Sequence, residues 1–462
     1  MSFSTIILAA GKGTRMKSSL PKVLHAVCGR PMIDYPLIEA KKAGTKEIIV
    51  VIGHGAEAVK ASLKEEGQLS FIIQEEQLGT GHAVKITENA IKDKDLPIVI
   101  LCGDAPLIRS STISRLVSSH IENRNVVTVL TADMDRPAGY GRIIKDGSEI
   151  RKIVEEKDAT YEEKCISEVN SGVYCVDGRF LFEALKKVGS NNAQGEYYLT
   201  DIIAICGDSK LKVSSSRLVD SGEILGINSR KDLAEANRLM RERITDRLME
   251  GGVSILDPDN TYIDSGVEIG SDAIIYPQAR LEGSTFIGNG CIIETGTQIK
   301  DSKIGDDSHI KPYCVISESV LEGQTTVGPF AHIRPHSHIK RKAKVGNFVE
   351  IKKSVIDEGS KVNHLSYIGD SEIGRDVNIG AGTITCNYDG YNKFKTTIED
   401  GAFIGSGSNL VAPVTVGKGA IIGAGSTITK TVAQDSLALT RADQRAVKDW
   451  AKKKREKAME KD

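Results

Sequence analysis

Two glycines and two cations follow directly on an apolar run in Leu8-Ala9-Ala10-Gly11-Lys12-Gly13-Thr14-Arg15-Met16, with Pro21-Lys22 a few residues on. The apolar run, Ser4 to Ala10, reads as a strand. A glycine turn at a strand end exposes backbone N–H groups to anionic oxygens, and Arg15 and Lys22 would offset the charge of a polyphosphate. The loop is neither a Walker loop nor a dinucleotide fingerprint. G-x-x-x-x-G-K-[ST] is absent, and Met16 stands where G-x-G-x-x-G needs its third glycine. A second apolar run, Pro97 to Cys102, ends in Gly103-Asp104. A carboxylate there suits Mg²⁺, which takes one or two carboxylates together with phosphate oxygens. Far downstream, Asn363-His364-Leu365-Ser366-Tyr367-Ile368-Gly369-Asp370 and Asn387-Tyr388-Asp389-Gly390 concentrate polar and aromatic groups, and His364 is the side chain able to exchange a proton near neutral pH.

The elements that must position these residues are of two kinds. Residues 1–228 alternate short apolar strands (Ser4 to Ala10, Glu47 to Gly53, Pro97 to Cys102, Asn125 to Thr131) with helical stretches, the pattern of an open α/β sheet. Residues 229–251 form a connecting helix. Leu233, Ala236, Met240, Ile244 and Leu248 follow its period, Asn228 or Ser229 is the N-cap, and Gly251-Gly252 is the stop. Residues 252–462 are different. The stretch 251–430 holds 25 Gly and 25 Ile but only five Leu, which disfavours helix. Ile263, Ile269, Ile275, Leu281, Ile287, Ile293 and Ile299 fall six apart, and the same spacing continues after five-residue slips to Ile304, Leu321, Ile356 and Ile373.

The slips lie 17, 35 and 17 residues apart, that is one, two and one coils of eighteen each shortened by one. Six residues per side and three sides per coil describe a triangular parallel β-helix, the shortened side recurring at one corner and a small residue such as Gly270 turning corners. The pattern breaks between Ile379 and Ile398, where a loop should leave the prism, and ends after Lys430. A last helix carries Trp450 and the solvated basic run Lys452-Lys453-Lys454-Arg455. His364 stands two residues after the inward Val362, so alternation points it inward unless a corner intervenes. His332, His336 and His338 flank the inward Ile333 and Ile339 and are expected outside, not gathered on zinc.

Composition narrows the function. The formal net charge is −1 with 27% charged residues, so no global basic field favours nucleic acid, and disorder is not expected. No apolar run approaches the ~20 residues of a membrane span, and the N-terminus lacks a signal-peptide pattern, so a cytoplasmic protein without a membrane partner is expected. The eight Cys contain no C-x-x-C pair and read as free thiols.

The glycine-loop string resembles nucleotidyltransferases that join sugar-1-phosphates to nucleoside triphosphates. End to end, residues 3–441 resemble the bacterial family of bifunctional N-acetylglucosamine-1-phosphate uridylyltransferases/glucosamine-1-phosphate N-acetyltransferases. The resemblance implies a Rossmann-like open α/β sheet followed by a left-handed parallel β-helix of hexapeptide repeats, making UDP-N-acetylglucosamine for peptidoglycan and lipopolysaccharide precursors. It implies UTP contacts from Leu8, Ala9, Ala10, Gly11, Gly13, Lys22, Gln74, Gly79 and Thr80, with Arg15 and Lys22 acting on the phosphates. It places the acetylated sugar phosphate against Gly141, Glu155, Asn170 and Asn228, and Mg²⁺ on Asp104 and Asn228. His82 is expected to be structural, and Cys102 stands where some relatives have Tyr.

In the prism the resemblance implies a glucosamine-1-phosphate site of Arg334, Lys352, Tyr367, Asn378 and Lys393, with His364 as general base. Acetyl-coenzyme A, a co-substrate, would meet Ala381, Asn387, Tyr388, Ser406, Ala424 and Arg441 in a homotrimer. Two alternatives stay open: a single-activity nucleotidyltransferase whose hexapeptides serve assembly or regulation, and a non-enzymatic exchange factor on the same folds. His364 with the Asn387-Tyr388 loop argues against the first, and intact Arg15, Lys22 and Asp104 against the second.

Overall fold

The computed structural model describes residues 2–63, 69–147 and 149–460, and the chain divides into two compact units, Met1–Arg243 and Ile244–Asp462. The division falls inside the helix Arg230–Glu250. Ser229, not Asn228, caps that helix. Its Oγ accepts from Asp232 N at 3.3 Å, while the Asp232 carboxylate accepts from the N–H groups of Ser229 (2.8 Å) and Asn228 (3.0 Å). The Asn228 side chain is thereby left for another task.

The first unit is built on a mixed sheet whose main path runs Val213–Arg217, Val127–Asp133, Glu168–Asp177, Pro97–Cys102, Ser4–Ala9, Glu47–Ile52, Leu69–Ile73. Glu168–Asp177 is antiparallel to its neighbours and the other pairings on this path are parallel. The central strands are almost unbroken runs of buried Ile and Val because helices cover both faces. From Ser4–Ala9 the chain proceeds first to Glu47–Ile52 on one side and later to Pro97–Cys102 on the other. The carboxyl end of Ser4–Ala9 is therefore a topological switch point, where such sheets bind ligands. The Leu8↔Cys102 register, closed by Gly103 N donating to Leu8 O at 2.9 Å, sets Gly103-Asp104 beside the glycine loop.

The second unit is a prism of three parallel sheets of 11, 10 and 9 short strands. Successive strands go to sheets one, two and three in turn, and each pairs with the strand one coil later. The branched residues of the six-residue repeat, Ile275, Leu281, Ile287 and their successors, are buried, accompanied by a small buried residue two positions earlier, as at Ala273, Cys291 and Ser308. All four five-residue slips (Ile299 to Ile304, Ile316 to Leu321, Ile351 to Ile356, Ile368 to Ile373) lie between the second and third sheets, so the shortened corner is one corner.

Three expectations are corrected. The coil does not break at Ile379, because Ile384–Cys386 forms a regular second side with Thr385 fully buried at the inward position. A hydroxyl in place of an aliphatic group hid that turn, and the excursion is only the segment from Asn387 to the strand Thr396–Ile398. The pattern also extends beyond Lys430, since Leu437–Ala438 pairs with Ile421–Ile422. Glycine after the inward residue answers close approach rather than a left-handed turn: a Cβ on Gly270 would lie 2.8 Å from Asn289 N. The left-handed corner residue comes two positions later and often carries a side chain, as at Asp272, Tyr313 and Phe348.

Ile351 is fully buried at an inward position of this stack. Ile351→Ala is expected to destabilise the prism by about 2–5 kcal/mol, read by calorimetry as a lowered melting transition with the other unit's transition unmoved.

Candidate active sites

In the first unit the glycine loop closes on itself through Met16 N to Gly13 O at 2.9 Å. Gly13 has φ 60°, and a Cβ there would stand 2.6 Å from Lys22 Cβ, so only glycine lets the Lys22 stem pass against the loop. Lys22 then reaches the sheet. Its ammonium contacts the Asp104 carboxylate and donates to Asn228 Oδ1 at 3.3 Å. Two oxygens from strand-end and helix-start positions thus converge on one cation. That donor set fits Mg²⁺, which needs few protein oxygens when phosphates complete its shell. Among the described residues no cluster of three or more His, Cys, Asp or Glu forms a protein-only metal cage. Burial pushes the adjacent Cys102 thiol up to about 12, with the Asp104 carboxylate adding to the shift. Arg15 is exposed on the short turn Thr14–Met16, and Leu8, Ala9, Ala10 and Gly11 lead into it.

Gln74, Gly79 and Thr80 are brought together. Gln74 Nε2 lies 3.1 Å from Gly79 O and 3.1 Å from His82 Nδ1, Thr80 Oγ1 accepts from Leu199 N at 3.1 Å, and a Cβ on Gly79 would meet Tyr197 O at 2.7 Å. His82 serves the loop, as expected. Gly141 O accepts from Asn170 N at 2.9 Å, and a Cβ on Gly141 would stand 3.5 Å from Glu155 Oε2, so Gly141, Glu155 and Asn170 adjoin along one wall. Desolvation raises the Glu155 carboxyl above its ordinary value, only partly offset by the Thr200 hydroxyl, which donates at 3.4 Å. Tyr140 ties this wall to the metal-type site, bonding the Gly226 backbone, while Ile227 N donates to Asp104 O at 2.9 Å.

In the second unit His364 ends the strand Lys361–His364 and is exposed. Leu365 after it is left-handed (φ 45°), so the corner intervenes and alternation does not carry the ring inward. The register Asn347↔His364 brings His364 Nδ1 to 2.8 Å from Asn347 Oδ1. A carbonyl oxygen only accepts, so in the neutral ring this contact places the proton on Nδ1 and leaves Nε2 as the acceptor. His364, Ala381, Ser406 and Ala424 occupy successive coils on this corner. Gly382 N, Gly407 N and Gly425 N donate to His364 O (3.3 Å), Ala381 O (2.7 Å) and Ser406 O (2.8 Å), and Arg441 Nη1 donates to Ala424 O at 2.9 Å.

Arg334, Lys352 and Tyr367 stand with the second sheet, and Lys393 on the loop beyond it. Lys352 adjoins Lys393, whose amine is pushed below its ordinary value by the hydrogen bond with Lys352 and then by that neighbour's charge. Arg334 bonds Glu350 at 2.7 Å, and the Tyr367 hydroxyl overlies Gly369, leaving no room there for a Cβ. Asp370 takes Asn387 Nδ2 and faces Lys352 at 3.5 Å. The loop is braced by Asp389, whose carboxylate accepts from Tyr391 N (2.8 Å) and Asn392 N (2.6 Å).

The residues expected to serve acyl transfer do not all gather at one place in the chain. Asn387 and Tyr388 lie at the far corner of the second sheet from His364, and Asn378 stands on the first sheet. His332 and His338 belong to different sheets, so no histidine triad forms. Asn347 and Asp370 were not among the expected site residues. Asn347 could have been found by counting back one 17-residue coil from His364.

A glycine-loop sheet with a metal-type donor pair, followed by a hexapeptide prism with an exposed histidine, defines a two-headed transferase. Residues 4–221 match the nucleotidyl transferase family model, 258–337 that of the GMPPB C-terminal domain, and 395–430 that of the bacterial transferase hexapeptide (six repeats). The chain is 50% identical to the bifunctional protein GlmU of Clostridioides difficile over 99% of both chains. It is also 50% identical to those of Syntrophotalea carbinolica (97% of this chain, 96% of that one) and Halalkalibacterium halodurans (97% and 98%). The chain belongs to this GlmU family, and its fold is a Rossmann-like nucleotidyltransferase sheet followed by a left-handed parallel β-helix.

Gly13→Ala would force a side chain into a left-handed conformation costing about 1–2 kcal/mol and push on Lys22. Calorimetric titration with a nucleoside triphosphate and Mg²⁺ should show binding weakened about tenfold.

Proposed function

We propose that the prism acetylates glucosamine-1-phosphate and that the sheet domain then couples the product to UTP, giving UDP-N-acetylglucosamine and pyrophosphate. The observation that carries this reading is two separate groupings: an oxygen donor pair around the Lys22 ammonium in the first unit, and an exposed histidine held by Asn347 in the second. We assign 1–228 to uridylyl transfer, 229–251 to the connector and 252–462 to acetyl transfer.

In the prism the sugar phosphate is held by Arg334, Lys352 and Lys393, with Tyr367 and Asn378 along the sugar. The free amine attacks the thioester carbonyl of acetyl-coenzyme A, and His364 Nε2 takes the proton the amine sheds. The new C–N bond forms as the C–S bond breaks, and coenzyme A leaves as thiol. His364, Ala381, Ser406, Ala424 and Arg441 form a line of about 4.8 Å per coil, suited to an extended pantetheine chain.

Asn387, Tyr388 and Lys393 share one loop that lies a flat side away from His364, on the order of 10–15 Å at ~3.3 Å per residue, so a neighbouring copy supplies that loop to the same site. A closed ring of three prisms satisfies this for every copy. Sedimentation is expected to give a homotrimer, and a monomer with full acetyl transfer would contradict it.

In the sheet domain a phosphate oxygen of N-acetylglucosamine-1-phosphate attacks the α-phosphorus of UTP, and the bond to the β-phosphate breaks. Asp104 and Asn228 would hold Mg²⁺, which would supply charge neutralisation at the phosphates. Lys22 and Arg15 offset the charge developing on pyrophosphate, the glycine loop donates N–H groups, Gln74 to Thr80 shape the uracil side, and Gly141, Glu155 and Asn170 hold the sugar.

The two activities share no residue. Asp104→Asn is expected to abolish uridylyl transfer and spare acetyl transfer. His364→Ala should lower acetyl transfer ~10²–10⁴-fold and spare uridylyl transfer. Separate assays of coenzyme A and pyrophosphate release check this, and loss of both by either folded variant would refute it.

A further inference from the structure

Arg230 is the first residue of the helix Arg230–Glu250 and stands two positions after Asn228. Its guanidinium makes two bonds within the first unit. Nε donates to Met16 O at 3.2 Å, and Nη1 lies 3.3 Å from His25 Nδ1. Met16 is buried and ends the turn Thr14–Met16 that carries Arg15. His25 is buried and closes the turn Lys22–Leu24, its N–H donating to Lys22 O at 3.2 Å. Burial and, after it, the Arg230 charge lower the His25 pKa, which favours the ring form whose Nδ1 can accept from Arg230. His25 Nε2 is buried and finds no hydrogen-bond partner among the described residues. A buried ring left half-satisfied is costly, so its anchoring to Arg230 is not incidental packing.

One planar group therefore joins the three segments that bear Arg15, Lys22 and Asn228. The two short turns are neighbours in sequence, whereas Arg230 lies 214 residues from Met16 and 205 from His25. The fork geometry of a guanidinium can serve two acceptors on different segments at once, which an ammonium at the end of a flexible stem does less well. We propose that Arg230 is a positioning residue for nucleotidyl transfer: it sets Arg15, Lys22 and Asn228 relative to one another without touching substrate. The proposal rests on the nucleotidyl-transfer reading above and adds a residue to it.

The test uses the full-length protein, whose acetyl transfer reports on folding in the same tube. Arg230→Met is expected to lower kcat/KM for UTP about 100-fold, the scale of a misplacement near 1 Å, while acetyl transfer stays within twofold of wild type. Direct calorimetric titration with UTP and Mg²⁺ should show binding weakened about tenfold. Arg230→Lys should recover part of the loss, since an ammonium can still serve one acceptor. In an Arg15→Ala background Arg230→Met should cost less than a third of its effect in wild type, because part of its action passes through Arg15.

The proposal is overturned if Arg230→Met keeps UTP turnover within threefold of wild type. It is also overturned if the cost is undiminished in the Arg15→Ala background, or if both activities fall together with a lowered melting temperature. A wild-type protein that turns over no UTP would instead overturn the nucleotidyl-transfer reading itself.

Discussion

Both heads of the molecule depend on parallel strand register. In a parallel ladder each residue is locked to a partner on the next strand about 4.8 Å away, so a shift of even one residue would scatter the groups that do chemistry. Leu8↔Cys102 brings the glycine loop and Asp104 to one point, and Asn347↔His364 brings an acceptor to the imidazole. Neither pair is close in sequence. Their proximity comes from buried Ile and Val runs that admit only one alignment of each ladder.

The two units use register differently. The sheet has one switch point, and function gathers there from a loop, a strand end and a helix start. The prism has no switch point, so function is spread as columns along its edges, one residue per coil. Its shortened corner between the second and third sheets is also where the segment from Asn387 to Thr396 leaves the prism, because a coil that need not close in six residues there can close in five or in many. An edge leaves its column open to a neighbour, and in the proposed reading a site built from two corners of one side draws on a second copy.

Much of this was legible in the residues. The hexapeptide spacing and its slips located the coils and the recurring corner, since neither a helix nor a flat sheet buries one aliphatic group every six residues over so long a stretch. What the spacing missed was polar: Thr385 fills an inward position with a hydroxyl, and a hydrophobic pattern reads it as a gap. Gly270 was read as a corner glycine, whereas the crowding comes from Asn289 a coil away. In the sheet domain, Asp104 and Lys22 were legible as separate motifs. Their meeting with Asn228, and the Arg230 bonds that join the segments, are long-range contacts that no local pattern encodes.

One chain, in this reading, carries two transfers in series, with the product of the prism reaction as the acceptor for the sheet domain. The direct measurement is to incubate the purified protein with glucosamine-1-phosphate, acetyl-coenzyme A, UTP and Mg²⁺, and to follow UDP-N-acetylglucosamine by mass. That product is expected only with all four present, and N-acetylglucosamine-1-phosphate is expected to replace the first two. Formation of UDP-glucosamine without acetyl-coenzyme A at a comparable rate, or no nucleotide sugar from N-acetylglucosamine-1-phosphate and UTP, would contradict it.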